Sequence, residues 1–341
     1  MLERAGVAEG QSGVQPGGVR LQWGTPVACG LALESLAWWR GAQDRLDPSV
    51  PLSFSSCGYL FLAHSDGVLA RLTANVRVQN EAGVPSRIVD PTEAANLVPG
   101  LETASLKGAE WCAEDGYFDE PQAAIFAIAR HLDVRIATVT GVEQTAGGWT
   151  VETSDGTIAA SSVVLAAGSA TCALVRPLGV ALPIEDEPRH FFLSAPIRER
   201  LLEPLVISAE RRFAAKQLHN GRVLASDLAA AGDPAKGAPA WRRNVREAIR
   251  ELLPILEYAD LDVIASGAYD VTPDRQPILG PLPGLDGLHV AAGFSGHGFM
   301  IAPAVGRILA DAVVGAHDPV LDVLDWGRFA DGRMVPEPQV I

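Results

Sequence analysis

The stretch of this chain best equipped for chemistry is AAGFSGHGFMIAPAVG, residues 291–306. Gly293, Gly296 and Gly298 remove side-chain bulk from three positions of a short loop, so backbone can approach a flat ligand closely. A helix expected to open near Ala302-Pro303 directs its positive end at the same loop, which favours a group that gains negative charge. The N1/O2 edge of a flavin is such a group, because it becomes negative on reduction. Spacing alone leaves a plainer reading open, since ordinary strand-loop-helix turns also use glycines.

The elements that would position this loop follow from the rest of the chain. TPVACGLALESLAWWRGAQDRL reads as a helix with Thr25 as cap and Pro26 in its first turn, and the Trp38-Trp39 pair is expected to pack in the core. CGYLFLAHSDGVLARL has apolar runs around Ser65-Asp66-Gly67, which predicts a hairpin. DEPQAAIFAIARHL predicts a helix capped by an acid at Asp119 and ending near Asp133, followed at once by a strand, VRIATVTGV. GWTVETSDGTIAASSVVLAAGSA then alternates into a Ser-Asp-Gly turn and ends in SVVLAAG, a run expected to be a strand buried on both faces. That order is the back half of a dinucleotide-binding α/β domain. Between about residues 185 and 280 the pattern changes to RHFFLSAP, RRFAAKQL and GRVLASDL strands with one helix, APAWRRNVREAIRELL. GLHVAAGFSGHGF returns to the first pattern, so the chain leaves one domain and comes back to it.

Composition narrows the partners. With 341 residues, 48% hydrophobic, 34 Gly and 24 Pro, two compact α/β units are expected. A net charge of −14, from 27 basic and 41 acidic residues, disfavours nucleic acid and anionic membrane surfaces. Cys29, Cys57, Cys112 and Cys172 lack the short spacings of a zinc site or redox dithiol, which suits free thiols in a reducing cytoplasm. No apolar run approaches the length of a membrane span, no leader pattern stands at the start, and no metal-ligating constellation is visible.

Five segments together resemble the flavoprotein family that contains D-amino acid oxidase, glycine oxidase and sarcosine oxidase. They are Ser12 with GGVR (Gly17 to Arg20), DGYFDEPQ (115–122), VVLAAG (163–168), GAYDVTPDRQPILGPLPG (267–284) and GFSGHGF (293–299), in the family's order and across nearly the whole chain. Within that family the chain is most similar to the sarcosine oxidase β-subunit and dye-linked proline dehydrogenase branch.

The resemblance implies an α/β fold: a Rossmann-like FAD-binding domain, N-terminally incomplete, interleaved with a mixed-sheet substrate domain. The expected FAD-binding pieces are residues 1–50, 120–184 and 281–335, and the substrate pieces 51–119 and 185–280. It further implies that Glu3 holds the adenosine ribose with Arg4 beside it. Ser12, Gly17, Gly18 and Arg20 would line the pyrophosphate and flavin face, and Val139 would meet the adenine through its backbone. Ala167 and Gly168 would lie beside the nucleotide, with Gly293 and Gly296, His297, Gly298, Phe299 and Met300 at the flavin's pyrimidine edge.

The implied reaction is oxidation of a C–N bond in a small amino acid or secondary amine, with a hydride passing to flavin N5 and electrons passing on to oxygen or a redox partner. A cation must pair with the substrate carboxylate; Arg20 is the first choice, with Lys216 and Arg275 behind it and Tyr269 as a hydroxyl donor. His190 is a weaker candidate for lining the pocket, and Asp270 and Asp274 read as turn and capping residues. Three departures from the family pattern stand out. Gly267 occupies the place of the cysteine that attaches flavin in some sarcosine oxidases, so FAD is expected to be non-covalent. Lys216 does not align cleanly with the family's oxygen-assisting lysine. The family's opening strand, GxGxxG loop and helix, about 30 residues, precede the point where this chain starts. The expectations are an FAD-dependent amine or amino-acid oxidoreductase, with possible partner subunits, that binds FAD poorly without that segment; the alternative is a non-catalytic scaffold of the same fold.

Overall fold

A computed structural model describes residues 1–339 of the chain. Its largest element is an eight-stranded mixed sheet in the order Val263–Val271, Glu185–Leu193, Val223–Asp227, Phe213–Gln217, Leu205–Ser208, Tyr59–Ala63, Gly108–Cys112 and Arg87–Val89. The central strands alternate between two apolar clusters. Phe213, Ala215, Val223 and Ala225 pack under the Pro234–Leu252 helix, while Tyr59, Phe61 and Ile207 pack on the other face.

The parallel pairings expected of a dinucleotide-binding unit are present in two separate sheets. Leu2–Glu3 runs parallel to Arg135–Ile136. Val163–Leu165 runs parallel to Leu288–Ala292, which is flanked on its other side by Ile278–Pro281. A three-stranded meander, Val139–Thr145, Gly148–Thr153 and Gly156–Ala160, completes this half around Trp149.

Several local expectations need correction. Residues 57–72 form no hairpin: Tyr59–Ala63 is a strand, and Ser65 caps a helix, Asp66–Glu81, by accepting from the Val68 amide at 3.3 Å. Thr25 precedes the Pro26–Arg40 helix as expected, but its hydroxyl donates to Glu337 at 2.7 Å instead of capping. Glu120, not Asp119, precedes the Pro121–Ala129 helix, which stops four residues short of Asp133; Asp119 instead binds the His219 backbone and ring. VRIATVTGV is broken into Arg135–Ile136 and Val139–Thr145. Val163–Leu165 is an edge strand with Val164 43% exposed, so it is not buried on both faces. The last long helix opens at Gly298 rather than at Ala302 and carries Pro303 inside it, within the first two turns. Among the described residues no helix is long and apolar enough to cross a membrane.

Candidate active site

The glycine loop is built from a strand end, a positive-φ turn and a helix start. After Leu288–Ala292 the backbone takes φ of +75° at Gly293, +52° at Ser295 and +84° at Gly296, then enters the Gly298–Val313 helix. Asp270 shapes the turn: its carboxylate accepts from the Gly293 amide at 2.7 Å and the Phe294 amide at 3.1 Å, and its carbonyl from Ser295 at 2.9 Å. Asp270 is therefore the turn residue its type suggests. Tyr269, the preceding residue, lays its ring on Gly296; a Cβ there would stand 2.3–2.5 Å from ring carbons. Only glycine permits that contact together with that φ.

The helix start is pinned by Trp39, whose ring stacks on Phe299 with centroids 4.7 Å apart and whose Nε1 donates to the Met300 carbonyl at 3.2 Å. Its first-turn amides lack intrahelical acceptors by the geometry of any helix start, and they face the loop. Two buried polar atoms of the loop, Ser295 Oγ and His297 Nδ1, have no hydrogen-bond partner among the described residues. A loop with unpartnered polar atoms and a positive helix end fits a ligand with a polar, electron-rich edge. His297 stands edge-on to Trp23 at 4.7 Å and is tilted 6.2 Å from Tyr269. Burial, reinforced by Arg20 and Arg275, holds its pKa well below the usual histidine value, so the imidazole is neutral at pH 7.

A second backbone approach lies at Gly17 and Gly18. Gly17 has φ of +81° and lies so close to the Phe118 carbonyl that a Cβ would be 2.3 Å from its oxygen. Gly18 pairs with Tyr117 and abuts the Tyr59 hydroxyl. Lys216 points at this turn from the Phe213–Gln217 strand: Nζ donates to the Pro16 carbonyl at 2.5 Å and lies 3.8 Å from the Tyr117 ring centroid. Burial lowers its pKa to about 7, only partly opposed by Asp119.

Arg20 is fully buried and lies 3.8 Å over the Trp23 ring. Its terminal nitrogens donate to the carbonyls of Gln22 and Gln339, and burial lowers its pKa despite Glu337, Asp115 and Glu110. Arg275 is paired through both terminal nitrogens with Glu187, at 3.0 and 3.1 Å. The same Glu187 binds Arg189, whose guanidinium carbon is 5.1 Å from the Tyr269 ring.

The structure thus gathers Arg20, Tyr269, Arg275, Gly293, Gly296, His297, Gly298, Phe299 and Met300 into one region, and Lys216, Gly17 and Gly18 into an adjoining one. Glu3 and Arg4 lie at the Leu2–Glu3 strand, where the Glu3 carboxylate accepts from Ala5 at 3.1 Å, and Val139 opens the strand that follows Ala137, itself bonded to Glu3. Ser12 is exposed on a short helix, Gln11–Val14. Ala167 and Gly168 follow Val163–Leu165, with open space beside Gly168 at φ +58°. His190 is a core residue, stacked on Trp241 at 4.4 Å and bonded through both ring nitrogens to Ser266 and the Gly232 carbonyl. Asp274 is locked in a buried pair with Arg328.

Trp23 and Arg189 escaped the sequence reading. Trp23 has a signal in retrospect, three residues after Arg20; Arg189 has a weaker one, a charge alternating with Glu187 along a strand. An open cleft of about 400 Å³, lined by residues 196–200 and 217–221, lies at the end of the Lys216 strand and away from the glycine loop. Among the described residues no group of metal-ligating side chains converges.

Glycine oxidase of Pseudomonas putida is 32% identical over 257 residues, covering 73% of this chain and 69% of that protein. Sarcosine oxidase subunit beta of Rhodobacter capsulatus is 24% identical over 351 residues, covering 99% and 83%. Among solved structures, L-proline dehydrogenase from P. horikoshii superposes with a TM-score of 0.87 at 26% identity, covering 96% of this chain and 90% of that one. The family described as FAD dependent oxidoreductase matches residues 1–312. This chain belongs to the FAD dependent oxidoreductase family.

Proposed function

We propose that the chain oxidises a C–N bond of a small amino acid or secondary amine, the class named by its relatives. The observation that carries this is the Tyr269-capped glycine loop, with its free Ser295 Oγ and neutral His297 beside the start of the Gly298–Val313 helix. Non-covalent FAD supplies the two-electron acceptor at N5. Residues 1–50, 120–184 and 281–335 would hold it, with Glu3, Arg4 and Val139 toward the adenosine. Ser12, Gly17, Gly18, Ala167 and Gly168 would run along its length, with residues 293–300 at the pyrimidine edge.

The chain's own residues do the rest. The amides at the helix start favour the negative charge that develops at the pyrimidine edge. A neutral His297 donates or accepts one hydrogen bond there without adding a charge. Tyr269, Trp23 and Phe299 exclude water from the transferring hydrogen. Lys216, half-protonated near neutrality, can take up or release a proton at Nζ beside the Gly17 turn. The product imine would leave and hydrolyse, with oxygen or a redox partner as the final electron acceptor. Four free thiols, each with its pKa raised by burial, support a reducing cytoplasm as the setting.

The test is to purify the chain with excess FAD and titrate it anaerobically with glycine, sarcosine, proline and D-amino acids while recording the visible spectrum. Weakly held flavin, kept on the protein by the excess FAD and bleached by one of them, is the expected result. A protein that retains no flavin would support the non-catalytic scaffold instead.

A further inference from the structure

After the exposed Met334, a strap of residues 335–339 carries two polar side chains into the interior. Glu337 and Gln339 are only 5% and 4% exposed. Burying such groups is unfavourable unless each finds a partner, so the destinations of their hydrogen bonds show what the strap holds.

Asp274 fixes the path of the strap by accepting from the Val335 amide at 3.3 Å and, through its carbonyl, from the Glu337 amide at 2.9 Å. The Glu337 carboxylate then accepts from the Gly24 amide and the Thr25 hydroxyl, both at 2.7 Å. Pro338 covers Gly24 so closely that a Cβ there would stand 2.2 Å from Pro338 Cγ. The Gln339 carbonyl accepts from Arg20, and its side chain bridges Asn75 at 2.7 Å and Glu110 at 3.3 Å.

The residues held in this way begin a line of contacts that ends at the glycine loop. The Arg20 guanidinium lies 3.8 Å from the Trp23 ring centroid, and Trp23 Nε1 donates back to the Arg20 carbonyl at 3.1 Å. Trp23 meets His297 edge-on at 4.7 Å, and the Gly298–Val313 helix starts directly after His297. The Arg20 charge is felt there too: after burial, it is the main influence holding the His297 pKa down. Strap, Arg20, Trp23 and His297 thus form one contiguous network.

We propose that residues 335–339 are a positioning element for the glycine loop: Glu337 and Gln339 hold Arg20 and the Trp23 turn, and these hold His297 and the helix start against the pyrimidine edge of the flavin. This rests on the placement of that edge at residues 293–300 given above. The test compares wild type with a chain ending at Met334, with Glu337→Ala and with Gln339→Ala, using Glu337→Gln as the conservative control. Without added FAD, hydrogen–deuterium exchange at residues 293–300 should quicken in each of the first three variants, while the Phe213–Gln217 and Val223–Asp227 strands exchange as in wild type. On titration with FAD, the dissociation constant should rise about 3- to 10-fold, the worth of one or two hydrogen bonds. At saturating FAD the flavin midpoint potential should become more negative, because the Arg20 charge is no longer fixed near the edge that gains negative charge. Glu337→Gln retains an acceptor and should recover part of each change. The single substitutions keep the test decisive where the shortened chain fails to fold.

Exchange at 293–300 that matches wild type in Glu337→Ala and Gln339→Ala would overturn the proposal. So would faster exchange with unchanged FAD affinity and potential, or a uniform loss of stability that leaves the potential where it was. If wild type takes up no FAD, the flavin reading fails, and exchange alone decides whether the strap positions the loop.

Discussion

Burial sets the behaviour of individual residues here. Glu110 and Asp115 sit in the polar pocket around Arg20, and desolvation raises their pKa values from 4.5 to about 7 and from 3.8 to about 8. The folded chain therefore holds protons the unfolded chain has released, so their contribution to stability is full below about pH 4 and is lost as pH rises through 7 to 8. Lys216 has the opposite sign. Its folded pKa of about 7 lies below the ordinary 10.5, so its contribution is full above pH 10.5 and is lost as pH falls through 7. Urea midpoints across pH should show this: Glu110→Gln should flatten the decline between pH 4.5 and 7, and Lys216→Met the rise between pH 7 and 10.5. At Gly296, alanine must displace the Tyr269 ring and hold φ of +84°, so Gly296→Ala should weaken FAD binding at least about tenfold while the strain costs roughly 1 kcal/mol of stability. Flavin retention after gel filtration and a thermal melt read the two effects. The glycines at 293 and 296 were legible as loop residues because a positive φ demands them locally. Arg20 was legible as a charge but not as a committed donor, because its partner Gln339 is 319 residues away.

At the scale of elements, the misread stretch at 57–72 shows how a turn signal can mislead. Ser-Asp-Gly opens a hairpin or caps a helix equally well, and the spacing of Val68, Leu69, Leu72 and Val76 is helical. Ser65→Ala should lower stability by about 1 kcal/mol through the lost cap, measurable by denaturant titration. The start of the Gly298–Val313 helix was misplaced for a related reason. Pro303 suggests a first turn, yet the glycine loop closes sooner because Trp39, from a helix far away in sequence, holds Phe299 and Met300. Trp39→Leu should therefore loosen the loop more than the remainder of the fold, seen as faster amide exchange at residues 298–301.

At the scale of the whole molecule, a buried ion pair and a C-terminal strap join segments far apart in sequence. Arg328 binds both oxygens of Asp274 at 2.8 and 3.0 Å, with both side chains fully buried. Asp274→Asn leaves a buried charge unpaired and should cost about 3–5 kcal/mol, read as a large fall in Tm. Residues 337–339 lie beyond the 1–312 family match, and Glu337 binds the Gly24 amide and Thr25 while Gln339 binds Asn75, Glu110 and Arg20. The sequence by itself determined the α/β class and the flavoprotein resemblance, because each depends on local spacing, turn chemistry and backbone freedom. Only the tertiary structure decided what each cation is bonded to. Arg20 and Arg275 read alike in sequence, yet Arg20 is bonded to the strap at Gln339 and Arg275 to Glu187 on another strand, partners that local spacing does not specify.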